Sequence, residues 1–216
     1  MRVIITGATG MVGEGVLMEC LENERVSSVL CIGRNRSGKS HPKLEEFLVK
    51  DFFQLEHDAP NLMNFDACFY CAGISSVGMD EKEYNRITYD TTLHVAKILL
   101  ELNSSMTFNF VSGANTDSSE KGKVMWSRVK GKTENALTAL PFKGQYNFRP
   151  GLMKPTKGQT QIKGFNRYVA KLYPLLRLFF NGCSIQEIGK AMINSAIYGY
   201  HSNILEVSDI KSLAVK

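Results

Sequence analysis

The β-branched run Val3-Ile4-Ile5, which empties directly into Thr6-Gly7-Ala8-Thr9-Gly10-Met11-Val12-Gly13, constrains this chain more than any other feature. With no polar break after Arg2, the run reads as a buried parallel strand. Beyond Gly13, the residues Val16, Leu17, Cys20 and Leu21 recur at helical spacing. Strand, glycine turn and helix together form the context of a dinucleotide fingerprint, here spaced Gly-x-x-Gly-x-x-Gly. The glycines are there for physical reasons. Gly7 permits the sharp exit from the strand and Gly13 lets the helix pack close. Gly10, with Thr9, Met11 and Val12 beside it, lets backbone N–H groups approach a pyrophosphate at the helix N-terminus.

The turn Thr-Gly-Ala-Thr-Gly-x-x-Gly resembles the opening of extended and atypical short-chain dehydrogenases/reductases, the group that contains nucleotide-sugar epimerases and NmrA-like proteins. That resemblance and the patterning along the chain predict one doubly wound α/β domain over residues 1–216. Its parallel sheet has six or seven strands with helices on both faces, and residues 152–183 form a small lid-like segment within it.

Length and composition agree with a single globular domain, at 44% apolar and 22% charged residues. The first strand begins at residue 2 and no run of about 18 apolar residues occurs, so neither a leader nor a transmembrane segment is expected, and a cytoplasmic protein is. Five scattered cysteines imply no disulfide framework. Cys68 and Cys71 have CxxC spacing, but they fall in the apolar run 65–73; on a strand, residues three apart face opposite sides, so no metal site is expected. The net charge of +5 gathers in two groups, Arg34 to Lys43 and Lys154 to Lys171. No stacking aromatics are interleaved with them, so an anionic small ligand is a better match than nucleic acid.

A second strand over residues 26–32 ends at Gly33-Arg34-Asn35-Arg36. An NAD-preferring site would carry an acid there for the ribose 2′-hydroxyl. Arg34 instead offers a guanidinium to a 2′-phosphate, with Asn35 beside it and Arg36 and Lys39 as helpers, so NADP(H) is expected over NAD(H). The family resemblance implies further cofactor contacts: Asp51 with Phe52 at the adenine, the small-residue turn Cys71-Ala72-Gly73 beneath ribose and phosphates, and Pro150-Gly151 against the nicotinamide. Residues 81–102 read as a long helix in which His94 is structural.

The chemistry implied by the resemblance centres on the strand over 106–111. Short-chain dehydrogenases place a Ser at its end and a Tyr-x-x-x-Lys on the next helix, where the i, i+4 spacing puts both side chains on one face. Ser112 and Lys130 match, Ser112 to polarise a substrate oxygen and Lys130 to hold the nicotinamide ribose. The tyrosine does not match: Trp126 takes its place. An indole N–H donates but does not titrate in water, so Trp126 cannot act as general acid or base. Tyr70, Tyr84 and Tyr89 are candidate replacements. Val-Lys-Gly-Lys-Thr-Glu at 129–134 and Phe-Arg-Pro-Gly at 148–151 resemble the small atypical members related to the Tat-interacting protein of animals, whose bacterial relatives are often labelled nucleoside-diphosphate-sugar epimerases. Two functions stay open: a weak or specialised NADP(H)-dependent oxidoreductase or epimerase-like enzyme, and a catalytically silent NADP(H)-binding sensor or scaffold. Residues 154–163 read as a mobile loop and 165–180 as a lid, a membrane-surface helix or a partner surface. A Ser184-x-x-Glu187 capping box opens the final helix, 185–198, and residues 203–207 read as a last short strand. The substrate and oligomeric state are not legible.

Overall fold

The computed structural model describes residues 1–162, 173 and 181–216. The segment expected as a lid, 165–180, lies almost entirely outside them. Seven strands form one parallel sheet in the order β3-β2-β1-β4-β5-β6-β9: β1 (Arg2–Thr6), β2 (Ser28–Gly33), β3 (Leu44–Leu48), β4 (Ala67–Tyr70), β5 (Thr107–Val111), β6 (Gly144–Phe148) and β9 (Ile204–Leu205). A second, two-stranded parallel sheet joins β7 (Leu152–Lys154) to β8 (Gly182–Ser184). From β1 the chain winds outward through β2 and β3, then returns to lay β4 on the other side of β1. The direction of winding therefore reverses between β1 and β4, where Thr6 lies opposite Tyr70. Crevices at the carboxyl end of such a switch are where ligands bind in open α/β sheets.

Alternation along the strands explains the layers. Val3, Ile5, Val29 and Phe69 point to one face, where they meet α1 (Met11–Glu22), α5 (Ile185–Tyr198) and α6 (Val207–Ala214). Ile4, Leu30, Cys68, Tyr70 and Phe108 point to the other, against a 3-10 segment (Phe52–Leu62), α3 (Thr91–Leu102) and Leu137 of α4 (Met125–Thr138). With both faces covered, β1 and β4 are apolar along their buried lengths, which is why they read as unbroken runs. Cys68 and Cys71 accordingly sit in opposite layers as free thiols. Among the described residues, no group of three or more His, Cys, Asp or Glu is placed to hold a metal, and no helix is long and apolar enough to cross a membrane.

Several local expectations need correction. The helix over 81–102 is α2 (Glu81–Asn85) running through a π turn (Arg86–Asp90) into α3. The second strand starts at Ser28, because Val26 N and Ser27 N are already bonded to Asn23 O and Met1 O. The last strand is Ile204–Leu205 alone; Glu206 caps α6, with Glu206 N donating to Asp209 Oδ2 at 3.0 Å, and the chain turns helical where a strand was expected to continue. The Ser184–Glu187 capping box is present as expected. His94 is half-buried, its ring 5.3 Å from that of Phe53, in keeping with a structural role.

Candidate functional site

The glycine turn is shaped by backbone crowding. Gly7 adopts φ +73, and a Cβ there would stand 2.6 Å from Cys71 C and O and from Ala72 N, so the exit of β4 runs hard against the turn. Thr6 Oγ1 accepts from Ala72 N at 3.2 Å and fastens the two strand ends together. A Cβ on Gly13 would lie 2.1 Å from Gly7 O, which presses α1 onto the turn itself. Gly10 is different: its Cβ position meets only Gly7 O, at 3.4 Å. It caps α1 without a side-chain hydrogen bond, which leaves the helix's first N–H groups for an external acceptor. A cradle narrow at both ends and open at its middle suits a pyrophosphate.

At the end of β2, Arg34 and Asn35 are exposed, and Arg34 has no ion-pair partner among the described residues. Its expected helpers are engaged elsewhere. Arg36 pairs with Glu46 at 3.2 Å, and Lys39 pairs with Glu14 at 2.9 Å. Glu14, in the first turn of α1, is fully buried. Besides Lys39 it accepts from Thr160 N, Thr160 Oγ1 and Gln161 N at 2.7–2.9 Å. Burial alone would raise its carboxyl; Lys39 and these donors outweigh that and hold it at about 2. Gln159 Nε2 also donates to Met11 O at 2.6 Å. Residues 159–161, within the stretch 154–163 expected as a mobile loop, are thus strapped to the start of α1 beside the glycine turn. Only the acid's place in the first helical turn hinted at this in the sequence.

Asp51 caps the 3-10 segment, accepting from Phe53 N through Oδ1 at 3.0 Å, while Phe52 packs into the core layer beneath.

Beyond β5, Ser112, Trp126 and Lys130 come together. Lys130 Nζ donates to Ser112 O at 2.8 Å and to Val111 O at 3.4 Å. Enclosure of the ammonium pushes its pKa down to about 8, against the upward pull of Glu134 one turn along α4. The Trp126 ring closes over Gly113, its Cζ3 3.8 Å from where a Cβ would stand. Ser112 is buried with its Oγ 3.0 Å from Thr116 Oγ1, and Thr116 Oγ1 in turn donates to Gly113 O at 2.8 Å. The threonine's one hydrogen is thereby used, so Ser112 donates to Thr116 and keeps its own lone pairs for accepting. Nothing in the sequence singled out Thr116.

The substitute tyrosines fare less well. Tyr70 and Tyr84 are buried; burial pushes the Tyr70 phenol up to about 12, against a hydrogen bond with Thr92 that lowers it. Tyr89 lies beneath Lys132, whose ammonium is 4.1 Å from the ring centroid. Their burial closes Tyr70 and Tyr84 to a substrate.

Arg149, just before Pro150-Gly151, is engaged by three other side chains. It pairs with Glu134 at 2.5 Å and Glu206 at 3.3 Å and donates to Ser118 Oγ at 2.6 Å, binding α4 and the start of α6 to the end of β6. Pro150 is buried and Gly151 half-buried; a Cβ on Gly151 would meet Asn181 O at 2.3 Å.

Known proteins share this architecture. The solved structure of MoeE5 in complex with UDP-glucuronic acid and NAD superposes with a TM-score of 0.71 at 16% identity, covering 96% of this chain and 76% of that one. The YIR035C short chain dehydrogenases/reductase from Saccharomyces cerevisiae gives 0.68 at 13% identity, covering 99% and 98%. At such identities the likeness is one of fold. In sequence, Protein HTATIP2 of Rattus norvegicus is 29% identical over 154 residues, which are 70% of this chain and 62% of that protein, so the match spans less than two thirds of that relative's length. Protein fmp52-1, mitochondrial, of Aspergillus terreus is 24% identical over 212 residues, 94% of this chain and 90% of the relative. Residues 3–123, more than half of the chain and including the glycine turn and Ser112, match a common family pattern, and the chain belongs to the NAD dependent epimerase/dehydratase family.

Proposed function

We propose that the protein is an NADP(H)-dependent oxidoreductase of modest power, with Ser112 and Lys130 as its working groups. The observation that supports this reading is their convergence: an enclosed ammonium bonded to the carbonyl of Ser112, beside that residue's hydroxyl. The residues suited to the cofactor are Gly7, Thr9, Gly10, Met11, Val12 and Gly13 at the pyrophosphate, Arg34 and Asn35 at the 2′-phosphate, and Asp51 and Phe52 at the adenine. Cys71, Ala72 and Gly73 would pass under the ribose, Lys130 would hold the nicotinamide ribose, and Pro150 and Gly151 would back the ring. The bound nicotinamide supplies or accepts the hydride. Ser112, donating to Thr116, accepts from a substrate hydroxyl; toward a carbonyl it must turn its hydrogen away from Thr116. The five unpaired cysteines suit a reducing compartment such as the cytoplasm.

Calorimetry tests the cofactor. NADPH is expected to bind at least tenfold more tightly than NADH, and Arg34→Ala to remove that difference while leaving NADH affinity unchanged. Equal affinities in the natural protein would end the NADP(H) preference.

Trp126 favours a second reading, a silent NADP(H)-bound sensor. The two readings separate on Trp126→Tyr, assayed by NADPH absorbance against aldehydes, quinones and nucleotide sugars. Because general acid–base help is worth roughly 10²–10⁴-fold, the oxidoreductase reading expects measurable turnover in the natural protein, lost in Ser112→Ala, and an increase of about 10²-fold in Trp126→Tyr. A natural protein without turnover, beside an active Trp126→Tyr, establishes the sensor.

A further inference from the structure

We infer that Glu14 is a positioning residue for the dinucleotide, docking residues 159–161 so that they fix the first peptides of α1; this rests on the cofactor reading and adds to it a residue that need not touch the ligand. The carboxylate joins three distant stretches of chain. Glu14 belongs to the first turn of α1, Lys39 to the loop between β2 and β3, and Thr160 and Gln161 to the chain beyond β7. The loop that supplies Lys39 is also the one that carries Arg34. The Glu14 side chain has no exposed surface, so it cannot exchange these donors for water unless the segments come apart.

Gln159 makes a second grip on the same turn. Its Nε2 donates to Met11 O at 2.6 Å, while its Oε1 accepts from Thr156 N at 2.6 Å. Gly15 leaves the room for this: a Cβ there would stand 3.1 Å from Gln159 Oε1 and 2.3 Å from Ile185 Cγ2. Met11 O and the Val12 N–H are the two ends of one planar peptide group. That N–H is among the first of α1, which have no partner within a helix. A donor on the carbonyl end fixes the plane of the peptide and polarises its N–H toward an acceptor. The grips on Met11 and Glu14 thus bracket Val12 and Gly13, where a pyrophosphate would meet the helix N-terminus. Docking of 159–161 and binding of a dinucleotide favour the same arrangement of this turn, so each strengthens the other by the same factor.

The charge of Glu14 taken alone acts in the opposite direction. An acid in the first turn of a helix whose N-terminus receives a phosphate repels it. Neutralising Glu14 and releasing Lys39 would by charge alone tighten NADPH binding, whereas loss of positioning weakens it. The sign separates the two.

Calorimetry with NADPH on the full chain, below the melting range, reads that sign. Glu14→Gln, which keeps the shape, is expected to weaken NADPH about tenfold. Gln159→Ala, which spares both charges, is expected to weaken it about fivefold. Trypsin gives the reciprocal reading at Lys157, which is exposed between Thr156 and Gln159. In the natural protein, saturating NADPH is expected to slow cleavage after Lys157, identified by fragment mass, about tenfold. Without NADPH, both variants are expected to be cleaved there faster than the natural protein. Unchanged or tighter NADPH binding in either folded variant, or cleavage after Lys157 indifferent to NADPH, overturns the positioning role and leaves the cofactor reading standing. If Glu14→Gln does not fold, Gln159→Ala decides. A natural protein that binds no dinucleotide overturns the cofactor reading itself.

Discussion

Gly13→Ala is expected to lower stability by roughly 3 kcal/mol or more and to abolish measurable dinucleotide binding. The added methyl would stand 2.1 Å from Gly7 O, 2.5 Å from Gly7 C and 2.9 Å from Ala8 N. All three are backbone atoms, so no side chain can swing aside, and α1 must lift off the turn. Overpacking of this kind costs about 1–3 kcal/mol where side chains can adjust, and here they cannot. For a domain of this size that is a fall in Tm of about 6–12 °C. Gly10→Ala is the control. Its methyl would meet only Gly7 O at 3.4 Å, and Gly10 has an extended φ of −103, so Tm is expected to move little. Dinucleotide affinity should still fall, because the methyl occupies the open middle of the cradle. Thermal melts of both variants, with calorimetry, check the pair; an unchanged Tm for Gly13→Ala would show that α1 does not press on the turn.

Glu134→Ala is expected to cost about 3–5 kcal/mol, because it strands a buried guanidinium. Arg149 is only 8% exposed, and Glu134 is its closest carboxylate, at 2.5 Å, with Glu206 at 3.3 Å and half-exposed. The corresponding fall in Tm is about 6–20 °C. Glu134→Leu combined with Arg149→Met should recover most of it, since removing both charges leaves neither unpaired. A single variant as stable as the natural protein would mean that solvent reaches Arg149.

The same carboxylate acts on Lys130. Enclosure lowers the lysine to about 8 and Glu134 raises it, so the ammonium is present below pH 8 and lost as pH rises through it. Dinucleotide affinity is therefore expected to be flat at neutral pH and to decline above about 8. In Glu134→Gln, which keeps the shape, the decline should begin at lower pH, because the group that favours the charged form is gone. An unchanged pH profile would show that Lys130 does not contact the cofactor.

Much of this molecule was legible because local rules and tertiary demands coincide. The run Val3-Ile4-Ile5 is apolar on successive residues because both faces of β1 are covered, and the glycines at 7 and 13 stand where backbone meets backbone. Ser112 and Lys130 were singled out by the family resemblance; neither spacing nor periodicity alone pairs them. Glu14 and Arg149 were not. One is a first-turn acid and the other a strand-end cation, and neither spacing nor periodicity tells which charge will be enclosed and by what partner. The partners of Glu14 at Thr160 and Gln161 lie 146 and 147 residues away, a separation that no local pattern spans.

The sequence by itself determined the class of fold and the position of the glycine turn, since each depends on residue type and near-neighbour spacing; the interest of Trp126 came from the resemblance. Only the tertiary structure decided which charges are consumed as structure and which remain for a ligand. It buried Tyr70 and Tyr84, gave Lys39 to Glu14 and Arg149 to Glu134, and left Arg34 exposed. The reason is physical: an ionic side chain acquires its role from the dielectric and the partners that distant segments bring to it, and these exist only once the chain has folded.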